Sequence, residues 1–169
     1  MMFVAHDVLL DVAFGVARPR LVSLASSRAL VDASRAAYQE SLDSLIRAGA
    51  AVPGRAGPGP TTQLAQVRFL PPVERAHSTT IGLRWEASGL SAGLFPVLDA
   101  DITLAAAGEQ TTTLTVSGVY RPATEAAALL GAPVLDGVAA DRSLAAPPAD
   151  VAVRALLRYA AGHLTGSIT

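Results

Sequence analysis

Residues 149–164 read ADVAVRALLRYAAGHL. Within them Val153, Leu156, Leu157, Ala160, Ala161 and Leu164 recur at i, i+3, i+4, i+7, i+8 and i+11. That spacing paints one apolar stripe along a helix, with Arg154 and Arg158 on the other side. Pro147-Pro148-Ala149-Asp150 opens it, since proline fits a first helical turn whose N–H groups have no partner to lose. A helix with one apolar stripe needs an apolar surface to lie on. The preceding residues supply it as strands.

Working backwards, Gln110–Tyr120 is rich in Thr and Val, with Leu114, Val116 and Tyr120 on one face. Leu94–Ala105 alternates Leu98, Ala100, Ile102 and Leu104 with Val97, Asp99, Asp101 and Thr103. His77–Ala87 sets Thr79, Ile81, Leu83 and Trp85 against Ser78, Thr80, Arg84 and Glu86. Leu64–Leu70 precedes Pro71-Pro72, and the Gly108-Glu109 step is hairpin-like. Period-two alternation with short connections predicts an antiparallel sheet, one face buried and one in water.

The first third of the chain predicts one more strand and one helix. Residues 4–17 read as a long strand with Val8, Leu10, Val12, Phe14 and Val16 on one face and Gly15 as a bulge or bend. Arg18-Pro19-Arg20 leads out of it. Ser26 or Ser27 caps a helix running to about Ala48, with Leu30, Ala33, Ala37, Tyr38, Leu42, Leu45 and Ile46 as its stripe and Gly49 beyond its end. Residues 53–60 are a Pro/Gly loop. Short helical pieces are expected at 124–131 and near 138–145. No internal repeat divides the chain, so residues 1–169 read as a single domain.

Composition narrows the function classes. The 169 residues are 51% hydrophobic and 16% charged, with a mean hydropathy of +0.40. Such a chain has more apolar surface than a small core consumes, as a lined cavity or an oligomer interface would require. Thirteen basic residues stand against fourteen acidic ones, with no like-charge block, which argues against a nucleic-acid partner. All the basic residues are Arg, and Lys, Asn and Cys are absent. That excludes Schiff-base lysine, thiolate and zinc-thiolate chemistry. With Ala, Gly and Pro abundant, it points to a GC-rich bacterial genome. The start lacks a basic, uninterrupted apolar signal, and the longest charge-free stretches, 56–67 and 87–98, are twelve residues. A membrane span needs about 20. The expectation is a cytoplasmic protein.

Strand, helix, antiparallel strands and a long C-terminal amphipathic helix together resemble the helix-grip fold of the SRPBCC superfamily. That group includes START domains, Bet v 1-like proteins and polyketide cyclases. The resemblance rests on the opening strand Phe3–Val16, on Ala36-Ala37-Tyr38 in a helix ending at Arg47-Ala48-Gly49, and on Gly118-Val119-Tyr120-Arg121-Pro122. It also draws on the run from Leu130-Gly131 to Leu135-Asp136 and on the Val153–Leu157 helix. Two features depart from the pattern. One strong helix, with at most a turn near Val22–Ala25, stands where a helix pair is usual, and the 121–150 segment is long. The fold class expected is therefore α+β, a bent antiparallel sheet gripping a long C-terminal helix. The resemblance implies a hydrophobic cavity between the two.

The residues supply little catalytic signature. His6, His77 and His163 are scattered, with no metal-ligand spacing, and no cofactor motif is present. His77 lies at a strand end, where it is either a cavity-mouth acid–base group or a solvated histidine. Asp99 and Asp101 share a strand face, either as an acid–base pair or as a solvated outer face within reach of an Arg on a neighbouring strand. No serine has a hydrolase-elbow context, and no glycine run cradles phosphate. The candidate ligand wall is Leu83, Trp85, Ile102 and Tyr120 on the sheet with Leu156 and Ala160 on the last helix. Trp85 and Tyr120 join an apolar body to a polar tip that orients a ligand. Arg84 and Arg121, beside them, are either rim groups or surface ion pairs.

Three functions remain open. The first is binding of a small hydrophobic molecule of the lipid, polyketide or isoprenoid kind. The second is a cyclase- or dehydratase-like enzyme using His77, Tyr120 or Tyr159. The third is an interaction module with a closed core, its apolar surplus spent on a homodimer interface.

Overall fold

The computed structural model of the protein describes residues 2–47, 65–87, 97–121 and 148–167. The elements are β1 (Met2–Leu10), α1 (Phe14–Ser26), α2 (Arg28–Arg47), β2 (Ala65–Phe69), β3 (Val73–Glu74), β4 (Ser78–Ala87), β5 (Val97–Ala106), β6 (Thr112–Arg121) and α3 (Pro148–Thr165). The sheet is antiparallel throughout, in the order β1-β6-β5-β4-β2, with β3 also on β4. The protein is α+β, an open antiparallel sheet with a C-terminal helix laid on it, as in a helix-grip fold.

Alternation decides the register. Thr79, Ile81, Leu83 and Trp85 of β4 face inward with Leu98, Ala100, Ile102 and Leu104 of β5, and with Leu114, Val116 and Tyr120 of β6. A one-residue slip would turn every one of them into water. Inward residues line up in rungs across the sheet. One runs Val67, Trp85, Leu98, Tyr120, the next Phe69, Leu83, Ala100, Gly118, Val4, and a third Ile81, Ile102, Val116, His6. At Gly118 the β5 backbone comes so close that a side chain would overlap the Asp99 carbonyl and Ala100. Only glycine fits that position.

The turns follow their sequence. Ala107 and Gly108 both donate from their N–H groups to Thr111 O, at 3.0 and 3.1 Å, closing the β5–β6 hairpin at the expected place. Pro71-Pro72 cannot donate to a ladder, and the pairing with β4 slips by one residue across them, from Phe69↔Leu83 to Val73↔Thr80. The slip yields β3, a strand the alternation did not reveal.

The N-terminal reading requires correction. The strand expected over 4–17 ends at Leu10, and Phe14–Ser26 is a helix. Phe14 and Val16 continue the alternation of β1 by coincidence. The period that decides is Ala17, Leu21, Leu24, all buried at i, i+4, i+7. Pro19 lies inside α1 on an exposed turn near its start, where it forfeits one hydrogen bond to Gly15 rather than ending the helix. The helix pair is therefore complete, and the expected single helix with a short turn is not what forms. Ser27 separates the two helices, but its hydroxyl bonds back to Leu24 O at 2.7 Å instead of capping α2, and Ser26 bonds back to Val22 O. Thr112, fully buried, donates to Val12 O at 2.6 Å and pins the β1–α1 turn to the sheet.

All three described helices pack on the sheet, α1 against β5. α3 lies over β1 and β6 and along α2, while α2 also meets β2. On α2 the buried residues are Leu30, Ser34, Ala37 and Tyr38, so Ser34 takes the place expected for Ala33 in the stripe. Arg20 of α1 donates to Leu164 O at 2.6 Å, a cation at the negative end of α3. Beyond it Gly166, at φ 76°, lets Ser167 N–H close back on Gly162 O at 2.9 Å. The expected features at 48–49, 53–60, 124–131 and 138–145, and the side chains of Leu42, Asp43, Leu45, Ile46, Arg47 and Arg121, lie outside the described residues.

Candidate functional site

All six residues of the expected ligand wall are buried. Leu83, Trp85, Ile102 and Tyr120 stand on the inner sheet face, and Leu156 and Ala160 on α3. Trp85 and Tyr120 flank Leu98 in one rung, two strand spacings and so about 10 Å apart. Ile102 lies two rungs away, between Ile81 and Val116.

A further residue joins them. Tyr38 of α2 meets Trp85 edge to face, with ring centroids 6.2 Å apart. Its helix stripe marked it as core, and only the second helix's position over the sheet brings it to Trp85. Burial pushes the Tyr38 phenol up to about 12. Burial first, and the nearby Tyr38 second, push Tyr120 higher still. Both phenols keep their protons at neutral pH, so they offer hydrogen bonds and do not act as bases.

Trp85 is 2% exposed, and its indole N–H has no hydrogen-bond partner among the described residues. The same holds for the hydroxyls of Ser34 and Thr79. Leaving a buried donor unmade costs about 1–3 kcal/mol. An indole nitrogen only donates, so what satisfies it must accept. On the sheet the cross-strand neighbour of Trp85 on β5 is Leu98, and Leu83, Ala100 and Ile102 follow on the same buried face. Chemically, this end of the interior is apolar and carries an indole donor with no acceptor among the described residues.

Of the two expectations for His77, its exposure just before β4 agrees with a solvated strand-end histidine. Tyr159 is half-buried on α3 and stacks against His163, with centroids 6.4 Å apart. His6 faces the inner rung of Ile81, Ile102 and Val116, and its Nε2 pairs with the Asp150 carboxylate. Arg154, one turn along α3, holds the other Asp150 oxygen at 2.9 Å. Asp150 sits in the first turn of α3, where the helix dipole favours an anion. No group of three or more metal-ligating side chains occurs among the described residues.

The outer face is solvated as the alternation requires. Asp99 and Asp101 are exposed, and Arg84 pairs with Asp99 at 3.3 Å and with Glu86 at 3.1 Å. Arg84 is thus a surface ion-pair residue. A separate open groove of about 600 Å³ lies between α1 and β3, lined by Phe14, Arg18, Pro19, Val22 and Glu74 among others. The Arg18–Glu74 ion pair at 2.7 Å spans it, and none of the six wall residues lines it. No described helix is long and apolar enough to cross a membrane.

No family model matches the chain. No curated protein matches it either. Among solved structures, the chain is similar to the Zhui aromatase/cyclase from Streptomyces sp. R1128. The match covers 99% of this chain and 98% of that one, at 12% identity and a TM-score of 0.29. The fold assignment rests on the strand order and register described above.

Proposed function

We propose that the protein binds a small hydrophobic molecule, of the lipid, polyketide or isoprenoid kind, between the inner sheet face and the helices α2 and α3. The observation that carries this reading is the Trp85 indole N–H, buried among carbon with no partner among the described residues and set against Tyr38. A ligand oxygen satisfies that donor, and the ligand's apolar body gains about 25 cal/mol for each Å² withdrawn from water. Leu83, Ile102, Leu156 and Ala160 supply the wall, and Tyr120 a second donor. The ligand therefore carries at least one carbonyl, hydroxyl or ether oxygen on an otherwise apolar frame.

Native mass spectrometry of gently purified protein, followed by solvent extraction, tests this reading. The expected result is a stoichiometric adduct on the 17.3 kDa chain that releases an apolar, oxygen-bearing compound. A clean apo mass, together with no thermal shift across a panel of such compounds, contradicts it.

A cyclase-like reaction is the second reading, and one observation favours it. Tyr38 and Tyr120 hold their protons in a water-poor setting, and a neutral phenol there polarises a bound carbonyl by hydrogen bonding. The bases expected for it do not converge, since His77 is outside. Turnover of a poly-β-keto substrate that is lost in Tyr120→Phe supports this reading, and binding without turnover rejects it.

A further inference from the structure

β1 is the terminal strand of the sheet, and among the described residues nothing pairs with its outer edge. About every second one of its nine residues turns its backbone N–H and C=O to that outer edge, a template for another strand. Proteins usually blunt such an edge with proline, lysine or a bulge. Met2–Leu10 contains no proline or lysine, and it pairs with β6 without a bulge along its whole length. Its outward side chains are Phe3, Ala5, Asp7 and Leu9, and Phe3 is 74% and Leu9 61% exposed.

We infer that this edge joins a second copy of the chain, strand against antiparallel strand, about a two-fold axis at His6. A two-fold normal to the sheet keeps inward residues on one side, so paired residue numbers must add to an even sum. Three registers leave a substantial overlap of the two strands. A sum of 14 sets Asp7 directly against the partner's Asp7, and like charges opposite one another are destabilising. A sum of 10 buries Phe3 against the partner's Asp7. A sum of 12 pairs Phe3 with the partner's Leu9, twice by symmetry, and faces each Asp7 with an alanine. On the inner side the same register sets Val4 against the partner's Val8, and His6 against the partner's His6. Each His6 is already paired with the Asp150 carboxylate of its own chain. Val119, 39% exposed and in register with Phe3 on β6, widens the outer patch. The strand is thus complementary to itself in both shape and charge, which is what an isologous interface requires. The product is one continuous twelve-stranded sheet, and the surface lies apart from the proposed ligand wall.

Sedimentation of the whole chain across micromolar to millimolar concentration tests the association, and the absence of native cysteine makes a cross-link test of the register clean. The expected result is a concentration-dependent doubling of the 17.3 kDa mass. Leu9→Lys abolishes that doubling while leaving the far-ultraviolet circular dichroism unchanged, since the side chain it replaces is in water. Mixing Phe3→Cys with Leu9→Cys under mild oxidation gives the mixed disulfide, because directly opposed strand residues lie within disulfide reach. Phe3→Cys alone gives none, its two copies being six residues, about 20 Å, apart along the strand. A monomer at every concentration overturns the inference. So does a dimer indifferent to Leu9→Lys, or one in which Phe3→Cys links to itself.

Discussion

Two regions of the interior treat polar groups in opposite ways. Where α3 begins over β1, His6, Asp150 and Arg154 satisfy one another. Where α2 sets Tyr38 against Trp85 of β4, Trp85 buries a donor with no partner among the described residues, beside a phenol that burial keeps neutral. The first arrangement completes the fold by itself, tying the last helix to the first strand. The second costs stability that the protein does not recover internally. On the function proposed above, a donor left unmade in an apolar wall is the group that meets a ligand's acceptor, and the difference between the regions then separates structural polarity from functional polarity.

The strongest way to break this comparison is to remove the shared frame. Leu156→Ala on α3 takes a fully buried side chain from between the sheet and the helix, and it lowers unfolding stability in urea by about 2–5 kcal/mol. A bound apolar ligand that fills the void reduces that loss. Next in size is the alkaline limb. Tyr38 ionises at 10.0 in the unfolded chain and at about 12 when folded. The unfolded state therefore binds fewer protons in that window, and stability falls as pH rises from 10 to 12. Tyr38→Phe flattens the limb in urea melts taken at successive pH values.

The two regions then part company. Asp150→Ala strips His6 and Arg154 of their common anion at a site only about four-fifths buried, and it lowers stability by about 1–2 kcal/mol. Trp85→Phe removes a donor that nothing satisfies. Its apo stability stays within about 1 kcal/mol of the parent, while affinity for an oxygen-bearing apolar ligand drops about tenfold, the worth of one hydrogen bond. Equal losses from the two substitutions would erase the distinction. Smallest is Arg84→Ala on the outer face. Its pairs with Asp99 and Glu86 are exposed, so the change stays within about 0.5 kcal/mol in the same assay.

Much of this was legible in the residues. Strict alternation in β4, β5 and β6 marks the buried face, because a half-buried strand leaves a period of two, while the pairing register emerges only with the strands in place. The stripe from Val153 to Leu164 gave α3. The six wall residues were placed indoors by the same patterns, which say what is buried but not what touches what. The N-terminus misleads because Phe14 and Val16 extend the alternation of β1 into the first turn of α1. Tyr38 was visible only as a stripe residue. Its meeting with Trp85 depends on how α2 crosses the sheet, a tertiary fact with no local signature. His6 sits on the inward parity of β1, yet its partner Asp150 is 144 residues away, and no spacing rule reaches that far. The free edge of β1 likewise emerges only once the strand order is known.

The account turns on Trp85, and the chain has no other tryptophan. Its emission therefore reports directly on the wall. Titration with a fluorescent polyene fatty acid, and separately with a planar anthraquinone, is predicted to quench that emission to a plateau at one ligand per chain. Leu156→Ala should shift the affinity, and Arg84→Ala should leave it alone. Unchanged Trp85 emission with both probes, in protein shown to be folded, would contradict a ligand site between the sheet and its helices.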